Sequence, residues 1–153
     1  MRVLVVDDEP AFSEPLAERL ALRGYDTATA QDADAALAEL ARSPRDLIFL
    51  DVGLPGMDGF EVLRNVKKSN PQVQVIILTG HGGDAEEQTA YRMGAYNFLR
   101  KPMDIDELLN SIRMAYRDKL ENAMVAVSLA EGGDFDSARD VMNEKDVLEE
   151  HGK

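Results

Sequence analysis

The stretch Val3-Leu4-Val5-Val6-Asp7-Asp8 decides the fold of this chain. Its apolar run passes directly into two acidic residues, and comparable short runs recur along the chain. Near-continuous apolar runs of this length predict strands of a parallel sheet that helices cover on both faces. The predicted strands are Val3–Val6, Tyr25–Ala28, Leu47–Leu50, Val75–Leu78 and Tyr96–Leu99.

Segments with the apolar spacing of helices alternate with these strands. The predicted helices are residues 11–23, 32–42, 58–68, 84–92 and 104–120. This alternation indicates a parallel sheet with right-handed crossovers. We therefore expect an α/β fold, a flavodoxin-like doubly wound five-stranded parallel sheet in the order 2-1-3-4-5. The run at residues 25–28 is the least apolar and is expected at an edge of the sheet.

Several predicted helix ends carry residues that favour termination or capping. Gly24 is expected to end the first helix, and Asp58 and Asp104 are expected to cap the third and the fifth. Pro15 conflicts with the first helix, because a proline inside a helix costs about 3 kcal/mol. We expect this helix to begin late, with Ser13 as its N-cap, rather than to be kinked at Pro15.

Composition limits the function. The chain has 153 residues, a formal net charge of −12 and no cysteines. This length fits one domain with a short appendage. An acidic surface disfavours direct nucleic-acid binding and favours a cation or a basic protein partner. The lack of cysteines excludes disulfides and thiolate sites, and no segment is long and apolar enough for a membrane span or a signal peptide. We expect a cytoplasmic protein.

Residues 121–153 differ from the rest, with nine acidic and three basic residues. The fifth helix is expected to continue to Glu131, where Gly132-Gly133-Asp134 breaks it, and a short amphipathic helix is expected over residues 135–142. The prediction is an acidic helical extension that forms a hairpin with the end of the fifth helix. Two roles of this extension are open: it can pack against the domain and stabilise it, or it can bind a partner. A weak likeness to one tetratricopeptide turn covers a single partial unit.

Charged and hydroxyl side chains follow four of the predicted strands at their carboxyl ends. These residues are Asp7, Asp8, Asp51, Thr79 and Lys101. Because the carboxyl ends of parallel strands share one edge of the sheet, we expect these side chains to meet in one cleft. We expect no comparable polar set at the amino ends.

This set of side chains suits phosphoryl transfer. Three carboxylates at close range repel one another unless a cation binds or protons are taken up. Mg²⁺ fits, because it prefers a few carboxylates together with water and phosphate oxygens. Asp51 is the candidate phosphoryl acceptor, with Lys101 balancing charge and Thr79 donating a hydrogen bond. Taken alone, each of these residues is more commonly a turn former, a loop residue or a solvated side chain. Only their occurrence together at the carboxyl ends of the strands favours a functional site.

Four stretches of the chain closely resemble motifs of the receiver domain of bacterial two-component response regulators, the CheY-like superfamily. They occur in the family's order and spacing, and together they are highly specific. The stretches are Val5-Val6-Asp7-Asp8-Glu9-Pro10, Leu50-Asp51-Val52-Gly53-Leu54-Pro55-Gly56-Met57-Asp58-Gly59, Ile77-Leu78-Thr79-Gly80 and Gly94-Ala95-Tyr96-Asn97-Phe98-Leu99-Arg100-Lys101-Pro102. The resemblance implies a receiver domain at residues 1–120, followed by the extension at residues 121–153.

The resemblance implies roles for the acidic residues. Asp51 is the implied phosphoacceptor. Asp8, Asp51 and the Gly53 carbonyl oxygen are the implied direct ligands of Mg²⁺, for which Mn²⁺ or Ca²⁺ can substitute, and Asp7 acts through water. Gly53 and His81 stand at positions that tune dephosphorylation in the family.

Further roles follow for residues near the last two strands. Thr79 and Lys101 are implied to contact the phosphoryl group. Phe98 matches the family's switch aromatic, which swings inward as Thr79 moves toward that group. The peptide bond between Lys101 and Pro102 is implied to be cis.

The implied function is a phosphorylation-activated switch of a two-component system. A sensor histidine kinase donates the phosphoryl group from a phosphohistidine, and the receiver signals through changed protein contacts. The implied kinase-docking surface includes Ala11, Phe12, Leu16 and Leu20. Such a protein is not a conventional enzyme, although it promotes its own phosphorylation and dephosphorylation. The downstream partner and homodimerisation on phosphorylation are left open.

Three alternatives are kept at this point. A haloacid-dehalogenase-type phosphatase needs an acidic residue two positions after its nucleophile, where this chain has Gly53. A binding module that has lost phosphorylation would keep the fold but not need the acidic set. The chain can also be the receiver fragment of a longer regulator.

Overall fold

A computed structural model describes residues 1–54, 58–80 and 83–132, with only the backbone described for residues 126–132. Strands and helices alternate along the chain. They are β1 Arg2–Val6, α1 Pro10–Leu22, β2 Asp26–Ala30, α2 Ala33–Arg42, β3 Leu47–Leu50, α3 Gly59–Ser69, β4 Gln74–Thr79, α4 Asp84–Arg92, β5 Asn97–Arg100 and α5 Ile105–Gly132. The strands form one five-stranded sheet in the order β2-β1-β3-β4-β5. Every pairing is parallel, so the predicted flavodoxin-like fold is confirmed.

Strand register brings the ends of the central strands level. Val6 pairs with Leu50 across β1 and β3, and Leu50 pairs with Ile77 on β4. Residues that follow β1 and β3 therefore emerge side by side at the carboxyl edge. The weak second strand is the edge strand, as predicted.

Two apolar layers cover the two faces of the sheet. Side chains alternate between faces along a strand, so Leu4 and Val6 join the layer beneath α2, α3 and α4. Val3 and Val5 join the opposite layer, to which α1 and the first part of α5 contribute. Both faces of β1 and β3 are buried, which explains why these strands are almost wholly apolar.

Most predicted helix ends are confirmed. The Asp58 carboxylate accepts a hydrogen bond from the Phe60 amide, and that of Asp104 accepts one from the Glu107 amide. Gly24 follows α1 with φ of +90°, a left-handed conformation that favours glycine.

The predicted late start of α1 is wrong. The helix begins at Pro10, and the Ser13 amide already donates an intrahelical hydrogen bond of 3.0 Å to the Glu9 carbonyl. Pro10 occupies the first turn, where its missing N–H is not needed. Pro15 lies inside the helix, so burial of the apolar face of α1 outweighs the propensity cost of this proline.

Helix α5 ends at Gly132. A compact unit spans Met1–Ala115, and a second unit begins at Tyr116. In this second unit Tyr116, Leu120 and Met124 are exposed. The predicted short helix over residues 135–142 lies outside the described residues. Within the described part of the chain, every helix is too short or too polar to cross a bilayer.

Candidate functional site

Three carboxylates meet at the carboxyl edge of the sheet. Asp7 and Asp8 follow β1, Asp51 follows β3, and each offers an oxygen within 4.8 Å of the others. The sheet's hydrogen bonds extend to this cluster, since the Asp7 amide donates to the Ala30 carbonyl and the Asp51 amide to the Val6 carbonyl. Asp7 and Asp51 are buried and Asp8 is exposed. The predicted convergence of these three residues is therefore observed.

Asp7 and Asp51 are oriented by matching turns. Asp7 Oδ1 accepts a hydrogen bond of 2.8 Å from the Glu9 amide, and Asp51 Oδ1 accepts one of 2.8 Å from the Gly53 amide. Each aspartate thus uses Oδ1 to fix the loop that follows its strand. In both residues Oδ2 faces the same cation.

That cation is the Lys101 ammonium. Its Nζ donates a short hydrogen bond to Asp7 Oδ2 and lies 3.4 Å from Asp51 Oδ2. The Lys101 amide donates to the Thr79 carbonyl over 2.8 Å, and the Lys101–Pro102 peptide bond is cis, the isomer implied by the resemblance. Burial opposes the charged form of Lys101, but the hydrogen bond to Asp7 and the charge of Asp51 outweigh it and raise the lysine pKa.

An aromatic ring completes the surroundings of this ammonium. Lys101 Nζ lies 4.2 Å from the centroid of the Phe12 ring, in cation–π geometry. Sequence reasoning missed this contact and considered Phe12 only as a docking residue. The sequence feature that could have indicated this contact is the position of Phe12 in the helix that starts just after Asp7-Asp8.

Thr79 and Phe98 lie on the neighbouring strands β4 and β5. Thr79 is fully buried at the end of β4 and pairs with Arg100 in the sheet register. Phe98 is buried in the layer beneath α2, α3 and α4, and the Arg100 guanidinium lies 5.8 Å from its ring centroid. Gly53 is exposed beside Asp51, whereas His81 lies outside the described residues.

The implied docking surface on α1 needs correction. Leu16 and Leu20 are buried in the core, so neither can contact a partner. Ala11 is exposed and Phe12 is half-buried. The largest exposed apolar residue of α1 is Leu22, which is 86% exposed. Phe12, Leu16 and Leu20 stand four residues apart, the spacing of a core-facing helix stripe, so the sequence itself contained the signal against a docking role for the two leucines.

The expectation of no polar set at the amino ends of the strands is also wrong. Arg45 Nη2 lies 2.9 Å from Glu39 Oε1, and its Nη1 donates to the Asp26 carbonyl. Nearby, the Arg2 amide donates to Asp46 Oδ2 over 2.8 Å. These residues fasten the starts of β1, β2 and β3 to the end of α2. The sequence features that could have indicated this set are Asp26, inside the predicted strand Tyr25–Ala28, and the Arg45-Asp46 pair, directly before the predicted strand Leu47–Leu50.

Comparison with known proteins identifies the family. Residues 3–113 match the sequence profile of the response regulator receiver domain. The chain belongs to this family. Its receiver domain is similar to the nitrogen assimilation regulatory protein NtrX of Azorhizobium caulinodans, with 44% identity over 109 residues that cover 70% of this chain. The match spans only 24% of the length of that NtrX.

Solved structures of receiver domains agree with the sheet and its helices. The receiver domain of NtrX from Brucella abortus superposes with a TM-score of 0.70 at 39% identity, covering 74% of this chain and 96% of the other. The beryllofluoride-activated NtrC4 receiver domain dimer superposes with a TM-score of 0.74 at 35% identity, covering 77% of this chain and 98% of the other.

Proposed function

We propose that this receiver domain is a phosphorylation-activated switch in which Asp51 accepts a phosphoryl group from a phosphohistidine of a sensor histidine kinase. The observation that carries the proposal is the convergence of the Lys101 ammonium on Asp7 and Asp51. A buried carboxylate beside a fixed cation, with further carboxylates for a metal ion, is an arrangement suited to phosphoryl transfer.

The proposed step uses Asp51 as a nucleophile. One of its carboxylate oxygens attacks phosphorus while the phosphorus–nitrogen bond of phosphohistidine breaks, and the bonding electrons leave with the imidazole. The product is an acyl phosphate on Asp51. We expect the Lys101 ammonium and the Thr79 hydroxyl to bind oxygens of the transferred group, because Thr79 ends β4, the neighbour of β3, and Lys101 follows β5, the next strand in the sheet.

The acidic cluster fits a divalent cation. Carboxylate oxygens are ligands that Mg²⁺ prefers, and Mn²⁺ and Ca²⁺ accept the same donors. Both Asp7 oxygens already accept hydrogen bonds, from the Glu9 amide and from Lys101. The Asp51 oxygens accept a matching pair, from the Gly53 amide and from Lys101, so it is the family resemblance on which we base direct ligation by Asp8, Asp51 and the Gly53 carbonyl and a water-mediated role for Asp7. When bound, the cation would supply positive charge against the phosphoryl oxygens.

Signal output is proposed to pass through Thr79 and Phe98. Both are buried and lie on adjacent strands, Thr79 at the carboxyl end of β4 and Phe98 level with Ile77, two residues before Thr79. A phosphoryl group that attracts the Thr79 hydroxyl would alter the space beside Phe98 and change contacts made by the receiver domain, residues 1–120. A homodimer interface is one of the contacts that phosphorylation is proposed to change, since NtrC4 forms a dimer in its beryllofluoride-activated state.

Gly53 and His81 remain proposed determinants of phosphate lifetime.

A labelling experiment tests this function. The protein is incubated with acetyl phosphate and Mg²⁺, and its intact mass is followed for the addition of one phosphoryl group. We expect label on the wild type, none on Asp51→Asn, and normal label on Asp34→Asn, which changes an exposed carboxylate of α2. Label on Asp51→Asn equal to the wild type would show that another residue is the acceptor.

A further inference from the structure

Four contacts form a closed circuit around Lys101. Asp7 Oδ1 accepts from the Glu9 amide, and the Glu9 carbonyl accepts from the Phe12 amide over 3.0 Å. The Phe12 ring faces the Lys101 ammonium, which returns to Asp7 through its hydrogen bond to Oδ2. The cation–π contact is therefore a second link between the lysine and the start of α1, in addition to the one through Asp7 and Glu9.

We propose that Phe12 is a positioning residue that holds the Lys101 ammonium in place for phosphoryl transfer to Asp51. This inference rests on the proposed function and adds to it a residue outside the acidic, hydroxyl and lysine set.

The geometry around Nζ supports this role. An ammonium has three N–H donors, and Lys101 directs Nζ toward Asp7, Asp51 and the Phe12 ring. The Lys101 side chain is only 15% exposed. A long, flexible lysine side chain needs contacts on several sides to keep one position, and the ring face provides one that does not compete for the carboxylate oxygens.

The ring itself is held from two directions. The Phe12 and Ser13 amides both donate to the Glu9 carbonyl, which fixes the first turn of α1 directly after the acidic pair. Phe12 also packs against the apolar layer shared by α1 and α5. The position of the ring is thus determined by the same turn that orients Asp7.

The test compares variants of Phe12 with acetyl phosphate as donor, which removes any effect of kinase docking. Phe12→Leu keeps an apolar side chain but removes the π face, and we expect labelling about threefold to tenfold slower. Phe12→Tyr restores a ring and should recover most of the rate. Tyr25→Leu is the matched control, because Tyr25 packs on the same apolar layer, and it should label like the wild type.

A double-mutant cycle separates positioning from a general structural effect. In a Lys101→Met background, Phe12→Leu should cause no further loss of rate, because the contact partner is already gone. Urea unfolding of each variant confirms that it is folded, and Phe12→Met replaces Phe12→Leu if the latter does not fold.

The outcomes distinguish this inference from the function on which it rests. Absence of label on the wild type overturns both. Label on the wild type with Phe12→Leu equally fast overturns the positioning role alone, as does an equal loss from Phe12→Leu with and without Lys101.

Discussion

Lys101 Nζ lies 3.4 Å from Asp51 Oδ2, although Lys101 follows β5 and Asp51 follows β3. In the sheet β4 separates these two strands, so the lysine side chain reaches across the end of β4, where Thr79 lies. The hydrogen bond from the Lys101 amide to the Thr79 carbonyl holds the Lys101 backbone at the end of β4. The strand order thus places Asp51, Thr79 and Lys101 at the ends of three successive strands.

Replacing Lys101 with methionine should destabilise the protein and change how its stability depends on pH. Asp7 and Asp51 would be left facing each other without their cation, at a cost on the order of 2 kcal/mol at neutral pH. Because the folded protein raises the pKa of Lys101, the stabilisation that its ammonium provides is complete below the ordinary pKa of 10.5. This stabilisation is lost as the pH rises through the higher pKa of the folded state. Urea unfolding at several pH values measures this difference.

The control for this lysine is Lys68→Met, which removes an exposed charge from α3. Its effect on the free energy of unfolding should be a few tenths of a kcal/mol. If the gap between the wild type and Lys101→Met stays constant up to pH 12, the ammonium does not stabilise the acidic pair.

Mg²⁺ should stabilise the fold through the acidic cluster. A ligand at ten times its dissociation constant adds about 1.4 kcal/mol to the free energy of unfolding. Thermal melts with and without Mg²⁺ should show this gain for the wild type and for Glu18→Gln, an exposed carboxylate on α1. Asp8→Asn should lose most of it. An unchanged Mg²⁺ effect in Asp8→Asn would place the cation elsewhere.

The carboxyl-edge site could be predicted because its members are fixed by the strands. Once Val3–Val6 and Leu47–Leu50 are recognised as parallel neighbours, Asp7 and Asp51 must emerge together, whatever the loops do. Errors in strand ends did not matter, since β5 runs over Asn97–Arg100 rather than 96–99 and still leads directly into Lys101.

Features that depend on packing could not be predicted. The start of α1 was misplaced because local propensity penalises Pro15, whereas burial of Leu16 and Leu20 decides the outcome. The contact of Phe12 with Lys101 joins residues from distant parts of the sequence through two side-chain directions that no periodicity encodes. The buried position of Arg45 was hidden for the same reason, since an arginine before a strand normally lies in solvent.

Gly59→Ala should disturb the start of α3. A Cβ at Gly59 would lie 2.2 Å from Val52 Cα and 2.7 Å from the Val52 carbonyl oxygen, and neither backbone atom can yield easily. We expect a loss of about 1–3 kcal/mol in the free energy of unfolding. Because Val52 directly follows Asp51, slower labelling by acetyl phosphate should accompany the loss.

Gly80→Ala is the matched control for Gly59, because a Cβ there meets no atom of the described residues within 4 Å. Urea unfolding should find it within about 0.5 kcal/mol of the wild type. Equal stability of the two variants would mean that the close approach of α3 to Val52 is not required for folding.

The ion network at the amino ends of the strands should govern stability in acid. The hydrogen bond from Arg45 is the main cause of the lowered pKa of Glu39, against a smaller opposing effect of burial. A lowered pKa gives stability that is present above the ordinary value of 4.5 and is lost as pH falls through the folded value. In Arg45→Met, the fall in unfolding free energy between about pH 5 and about pH 3 should therefore be shallower than in the wild type.

Arg42 provides the comparison that isolates this effect. It also pairs with Glu39, but its side chain is 75% exposed, whereas that of Arg45 is 5% exposed. Exposed ion pairs contribute little because water screens them, and the Arg42 hydrogen bond is a smaller cause of the lowered pKa of Glu39 than that of Arg45, so Arg42→Met should keep more of the acid dependence than Arg45→Met. Urea unfolding across this pH range, with Glu39→Gln as the variant that lacks the titrating group, measures all three. If the unfolding free energy of Arg45→Met fell with acid as steeply as that of the wild type, the Arg45 hydrogen bond would not affect the ionisation of Glu39. The acid dependence would then come from other carboxylates.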